Sequence, residues 1–306
     1  MTTVAVVCVT HDSADVLPAL LDSLPEAAGD AIELRCCIVD SGSTDASLAI
    51  ARDRPGVEVI DLGRNAGYAA GINAGARALA GFDALCVLNP DVRLQPGSLA
   101  FLAETLLLPG TGIAAPRVVN ASGETRCSLR RAPSVARALG DAVLGGNLAG
   151  RVPLLGEMEV RSERYAHPAV VDWATGAVLL ISRECCERVG PWDERFFLYS
   201  EEVDYALRAH RAGFVVRYDP RAVVRHEEGE YSRSPELASL LCVNRVRCFR
   251  KHHALVPSAA FYGAVLLNEV ARSRNPIARG SALALLLRRR RPEPARGFSL
   301  LGRPKR

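Results

Sequence analysis

Short β-branched runs alternate with helical spacing over the first hundred residues, and this alternation constrains the fold more than any other feature of the chain. Val4–Val9 is an apolar run of strand length. Asp15–Leu24 follows, with apolar residues at 16, 17, 20, 21 and 24, the spacing of one helix face. Leu34–Val39, Val57–Leu62 and Ala84–Leu88 repeat the strand signal, separated by Ala/Leu- and Gly-rich helical stretches. Such alternation implies right-handed βαβ units: an α/β, Rossmann-like fold with a mostly parallel central sheet flanked by helices. Ligands of these sheets bind beyond the carboxyl ends of the strands. The polar loops at 10–13, 40–45, 63–67 and 89–91 are therefore the places to look for chemistry.

Beyond residue 110 the pattern is less regular. Residues 110–168 are rich in Gly, Pro and Arg and read as loops and irregular strands. Val170–Ser182 reads as a strand interrupted by Trp173-Ala174-Thr175-Gly176, Glu201–Ala212 as a helix stopped by Gly213, and Phe214–Tyr218 as a last strand. From about residue 236 the spacing is helical. The expected division is a main domain over 1–235, in halves of about 1–110 and 111–235, with an extension over 236–306. The nine cysteines form no Cys-x-x-Cys pair, and the doublets Cys36-Cys37 and Cys185-Cys186 sit in apolar runs, so reduced buried thiols and a cytoplasmic setting are expected. No run of 18 apolar residues exists, and the amino terminus reads as a first strand, not a signal peptide.

The net charge of +4 conceals an asymmetry. Residues 272–306 hold eleven Arg and Lys, among them Arg288 to Arg291, Arg296, Arg303, Lys305 and Arg306, against the single acid Glu293, which leaves the rest of the chain net acidic. An apolar stretch beside clustered arginines suits anchoring at an anionic membrane surface, and a solvated basic tail is the plainer alternative. Without interleaved aromatics the tail does not read as a nucleic-acid binder. Oligomeric state leaves no mark on the sequence.

Four groups carry candidate chemistry. Asp40 closes a strand and opens Asp-Ser-Gly-Ser-Thr-Asp, which either holds a base or ribose or simply caps a helix. Arg64-Asn65-Ala66-Gly67 leads into Gly71, Asn73 and Gly75, small residues that would let a helix lie close on the sheet; the glycines do not match G-x-G-x-x-G. Asn89-Pro90-Asp91 puts a carboxylate at a strand end, fit for Mg²⁺ or Mn²⁺ against a diphosphate, or else is a proline turn. Glu201-Glu202-Val203-Asp204 opens a helix, where acids complement the dipole, yet three carboxylates so close raise one another's pKa and offer a general base. His226 gains interest only if the fold brings it to Asp91.

The order of these blocks carries more than any one of them. VTHDS, VDSGSTD, RNAGYAAGINAG, LNPDV, DWATGAVLLISRECCERVGPWDERFFLYSEEVDYALRAHRAG and HEEG, over roughly residues 4–230, resemble the family 2 inverting glycosyltransferases, especially the bacterial rhamnosyltransferase-like branch. The resemblance implies a GT-A fold, a nucleotide-diphosphate sugar donor and a divalent cation, Mg²⁺ or Mn²⁺. It assigns the donor to Thr10, Asp12, Asp40, Ser43, Arg64, Asn65, Gly67, Asn73, Asn89 and Asp91, and the acceptor side to Trp173, Thr175 and Gly176. Asp91 matches the last Asp of the Asp-x-Asp metal motif, with Asn89 in the first place, and His226 matches a further metal ligand. In the acidic motif Glu202 stands where the family has an Asp base, with Glu201 and Asp204 beside it, so Glu202 and Asp204 are the candidate bases. The implied acceptor is a glycan or polyprenyl-linked hydroxyl of a bacterial envelope polysaccharide, reached at the inner face of the membrane. dTDP-rhamnose is the favoured donor, UDP-galactofuranose or another UDP-hexose the alternative, and an inactive, membrane-associated binding protein the rival outside catalysis. A nucleotidyltransferase would need a Gly- and Lys-rich loop near the amino terminus, and the only lysines are Lys251 and Lys305.

Overall fold

Nine-residue apolar strands open the structure, a computed structural model that describes residues 1–226 and 234–287. The first half runs Thr2–Thr10 (β1), helix Leu17–Ala28 (α1), Ile32–Asp40 (β2), Ser47–Arg52 (α2), Val57–Asp61 (β3), Tyr68–Ala78 (α3) and Ala84–Leu88 (β4). Val92–Leu94 (β5), Ser98–Leu106 (α4), Thr111–Val119 (β6), Leu129–Arg130 (β7), Val135–Leu144 (α5) and Gly146–Gly150 (α6) follow. Then come Ala169–Val171 (β8), Trp173–Ala174 (β9), Val178–Ser182 (β10), Arg183–Val189 (α7), Glu201–Arg211 (α8) and Val215–His226 (β11). Three helices close the described chain: Pro235–His252 (α9), Leu255–Ala271 (α10) and Pro276–Leu286 (α11). The helical reading past residue 236 thus holds as far as Leu287. Arg288 to Arg291, Arg296, Arg303, Lys305 and Arg306, like Glu227 to Gly229, lie outside the described residues.

The main sheet has the order β3-β2-β1-β4-β10-β6-β11-β5, with β8 paired to β11. β1 to β4 are parallel, as the alternation predicts. Beyond them β10 runs antiparallel to both β4 and β6, so the sheet becomes mixed. Side chains of β1 alternate between two cores: Ala5, Val7 and Val9 enter one, Val4, Val6 and Cys8 the other. A third, smaller core joins α5 to the carboxyl-terminal helices through Ala138, Val246, Phe249, Phe261 and Val265.

One expectation fails. Residues 110–168 were read as loops and irregular strands, yet β6 lies deep in the sheet, nearly all of it buried, and α5 is capped by Ser134, which accepts from the Arg137 amide. The segment TGIAAPRVV is covered on both faces, so it shows neither polar alternation nor the bulk that usually marks a strand.

Close packing of α3 explains its small residues. A methyl group at Gly71 would sit 2.5 Å from Val9 Cγ2, and one at Gly75 would sit 2.6 Å from Val7 Cγ1. Gly71→Val is therefore expected to cost about 1–3 kcal/mol through overpacking, read as a lowered urea midpoint with unchanged slope. All nine cysteines are free, and burial pushes the Cys36 thiol up to about 12, out of reach of thiolate chemistry. Among the described residues no helix is long and apolar enough to cross a membrane.

Candidate active site

The sheet register brings the polar strand ends together. Thr10 pairs with Asp40 across β1 and β2, and Cys8 pairs with Leu88 across β1 and β4, so Asn89 emerges at the same edge. That edge is where β2 and β4 depart to either side of β1, the crevice that binds ligands in such sheets. Thr10 Oγ1 donates to Asp40 Oδ1 at 3.2 Å, and the Ser43 amide donates to Asp40 Oδ2 at 2.9 Å. The Asp12 amide donates to Ser43 Oγ at 2.9 Å, while Asp12 Oδ1 accepts from the Thr44 amide at 2.6 Å. These two loops thus form one cradle. Asn65 joins it through Ser41 Oγ, 3.3 Å away, which in turn accepts from the Ala66 amide at 2.9 Å. Gly67 has φ +87°, and a side chain there would collide with the carbonyl of Phe197. Arg64 is exposed at the rim.

Asp91 and His226 are brought together, as the metal reading required. His226 ends β11 beside β5, and its Nε2 lies 3.2 Å from Asp91 Oδ1 and 3.5 Å from Asn89 Nδ2. Both side chains are largely buried. Among the described residues no three His, Cys, Asp or Glu side chains cluster as a closed metal cage. One carboxylate and one imidazole this close do fit a cation that completes its shell with phosphate oxygens and water.

A backbone hydrogen bond joins the end of β4 to the segment that packs against the acidic helix. The Asn89 amide donates to the carbonyl of Ala177 at 3.0 Å, next to Gly176. A methyl group at Gly176 would sit 3.4 Å from Glu202 Cβ and 3.9 Å from its carboxyl carbon, so the backbone here passes directly in front of the carboxylate. Tyr199 and Ser200, with φ +70° and +73°, turn the chain sharply into α8. With Asp12 at +51° they are the only non-glycine residues of positive φ among the described residues, and all three flank this crevice. Glu201 Oε2, Glu202 Oε2, Thr175 Oγ1 and the Tyr68 hydroxyl are enclosed and make no hydrogen bond among the described residues. Burial raises the pKa of Glu202, against its backbone hydrogen bonds and the Arg130 charge. Burial raises Glu201 well above the carboxylate range, and the Glu202 charge adds to it.

Residues 5–153 match the family model described as Glycosyl transferase family 2. The N-acetylglucosaminyl-diphospho-decaprenol L-rhamnosyltransferase of Mycobacterium tuberculosis is 33% identical over 235 residues, 73% of this chain and 75% of that protein. The chain belongs to glycosyl transferase family 2. Among solved structures, the mannosyltransferase PcManGT of Pyrobaculum calidifontis, in complex with GDP-Man and Mn²⁺, superposes with a TM-score of 0.55 at 17% identity over 92% of this chain and 75% of that one. GalNAc-T7 with UDP, GalNAc and Mn²⁺ superposes at 0.53 and 15% identity, over 79% of this chain but about half (48%) of that protein. This family 2 chain is therefore a glycosyltransferase with the GT-A fold.

Two expected site residues sit elsewhere. Asn73 donates its amide N–H groups to the Trp192 carbonyl and to Glu194 Oε1, both at 2.9 Å, and its oxygen accepts from the Trp192 amide at 2.9 Å. It clamps the 191–194 loop onto α3. Asp204 is fully buried among donors: Lys251 Nζ at 2.6 Å, His252 Nε2 at 2.8 Å and Arg208 Nε at 2.9 Å. Burial alone would raise its pKa, but these bonds outweigh that and hold it below the usual range. Such a carboxylate anchors a helix and has no lone pair facing the crevice to spare.

Three neighbours of the site went unmarked in the sequence. Tyr68 follows Gly67 and lies against Glu201 and Glu202, whose charges, after burial and that of Cys8, push its hydroxyl well up. Ser41 also accepts His11 through its carbonyl, 2.9 Å from Nδ1. Arg130 stacks over Trp173, its guanidinium carbon 5.8 Å from the ring centre, on the side where Trp173 donates to the Arg131 carbonyl. Tyr68 alone had a signal, its place just inside the helix after the glycine turn.

Proposed function

We propose that this family 2 enzyme transfers a sugar, L-rhamnose from dTDP-rhamnose in the favoured case, with inversion, onto a hydroxyl of a glycan or polyprenyl-linked acceptor in envelope polysaccharide synthesis. The observations that carry the reading are the Asp91–His226 pair at the end of β4 and the Glu202 carboxylate, which packs against Gly176 next to the Ala177 carbonyl that accepts from the Asn89 amide. The lipid-linked acceptor in the name of the mycobacterial relative supports the choice of acceptor. Thr10, Asp12, Asp40, Ser43, Asn65 and Gly67 cradle the nucleoside diphosphate. Asp91 and His226, with Asn89 close by, would hold Mg²⁺ or Mn²⁺. Bound there, the ion neutralises charge that gathers on the departing diphosphate.

The remaining steps rest on side chains. Trp173, Thr175 and Gly176 border the acceptor, with the Gly176 backbone in front of Glu202. Glu202 Oε2, which has no other hydrogen-bond partner among the described residues, takes the proton of that hydroxyl. Oxygen attacks the anomeric carbon from the face opposite the diphosphate, the C–O bond to phosphate breaks, and the configuration inverts in one displacement. Glu202 fits the role better than Asp204, whose oxygens are spent on Lys251, His252 and Arg208.

Calorimetry with dTDP-rhamnose, UDP-galactose and UDP-GlcNAc, with and without Mn²⁺, tests the proposal. One donor should bind in a Mn²⁺-dependent way, and Asp91→Ala should weaken it on the order of tenfold or more, 1.4 kcal/mol for each factor of ten. Failure of every donor to bind the wild type with metal present would sink the dTDP-rhamnose and UDP-hexose readings, in favour of a donor outside this panel or an inactive homologue.

A further inference from the structure

Apolar surface is unevenly spread over this molecule. Thirteen of the seventeen large apolar side chains exposed among the described residues fall in two segments, 139–154 and 255–287. The segments are neighbours, because α5 packs against α10 through the third core. α10 is apolar on both sides. Phe261, Ala264 and Val265 are buried, while Val256, Ala259, Ala260, Gly263, Leu267 and Val270 form an outer stripe that faces solvent. A helix apolar all round belongs in a core or against lipid. On α11, Arg279, Leu283, Leu286 and Leu287 share the outward face, and the four arginines Arg288 to Arg291 follow in sequence. On the α5–α6 side, Leu139, Val143, Leu148 and Leu154 project.

Charge decides what covers this face. Its acids are all turned inward and paired: Asp141 and Glu157 with Arg245, at 3.1 and 2.8 Å, and Glu269 with Arg272, at 2.5 Å. The exposed charges in these segments are Arg151, Arg272, Arg274 and Arg279. Apolar stripes bordered by arginine, without an exposed carboxylate, complement an anionic bilayer. α10 cannot span one. It is about 25 Å long at 1.5 Å per residue, and its inner face is committed to the core.

We infer that the outer faces of α10, α11 and the α5–α6 segment form a bilayer-contact surface, which holds the enzyme in the plane of an anionic membrane. The inference rests on the reading of a lipid-linked acceptor and adds to the basic tail a folded, apolar contact. Its position suits that acceptor, since α5 begins five residues after Arg130, on the side of the crevice bordered by Trp173.

Sedimentation of the full chain with vesicles tests this, using phosphatidylcholine alone and an equal mixture with phosphatidylglycerol. The wild type should bind the mixed vesicles. Val256→Glu with Leu267→Glu, and separately Leu148→Glu with Leu154→Glu, should weaken binding about tenfold or more. These positions are exposed, so near-UV circular dichroism and nucleotide binding should match the wild type. If the glutamate variants bind as the wild type does while Arg288–Arg291→Ser releases the protein, the apolar face is refuted and the tail alone is the anchor. If the wild type binds neither vesicle, the membrane reading falls with it. Should light scattering find a dimer that the glutamates split without changing vesicle binding, the face joins two copies and the inference is overturned.

Discussion

Glu202→Gln is expected to lower turnover by about 10²–10⁴-fold while leaving donor binding intact, the range for loss of a positioned general base. The variant keeps the shape of the side chain but cannot accept the acceptor's proton. The sign of the pH dependence follows from burial, which lifts the Glu202 pKa above its ordinary value. The base works only when deprotonated, so wild-type kcat/KM should rise with pH through that lifted pKa, and the rise should vanish in the variant. Burial disfavours the charged form of this carboxylate. Glutamine there should leave the protein at least as stable as the wild type. A variant that kept its activity, or lost it together with donor binding, would remove Glu202 from the role.

The second large effect is on stability. Asp204→Ala should destabilise the fold by about 3 kcal/mol, because His252 and Arg208 lose a fully buried carboxylate and Lys251 is left with Asp193 alone. The pKa of Asp204 is depressed in the folded state. Its contribution is therefore fully present above the unfolded carboxylate pKa, about 3.9, and is lost as pH falls through the lower folded value. Urea unfolding of wild type and variant should differ most near neutrality and converge in strong acid. Equal stability at pH 7 would show that the cluster contributes no net energy. Lys251 and His252 belong to α9, and Asn244 of the same helix donates to the Leu198 carbonyl at 2.8 Å. The boundary drawn at residue 235 therefore separates helices from the very segment they brace.

Much of the parallel part of the sheet could be read from the sequence, and the reason is local. β1 to β4 announce themselves by β-branched runs, and the site residues there sit at strand ends whose order the topology rules dictate. The sequence could link Asp91 and His226 only conditionally; their closeness depends on β11 lying next to β5, a non-local fact. Asn73 and Asp204 show the limit more sharply. Each matches a donor or acidic motif, but the partners that decide its role, Trp192 and Lys251, lie 119 and 47 residues away along the chain. β6 was missed for a different cause, since small residues covered on both faces leave no periodic signal.

Tyr199 and Ser200 have a consequence for when the work of organising the site is done. Two successive left-handed residues cost on the order of 1–3 kcal/mol each, and the packing of α8 and α9 sustains them. The expense falls on folding, before any substrate arrives. An acceptor that enters the crevice meets a carboxylate already aimed, and little of its binding energy is diverted to ordering a loop. Preorganisation of this kind favours turnover over tight holding.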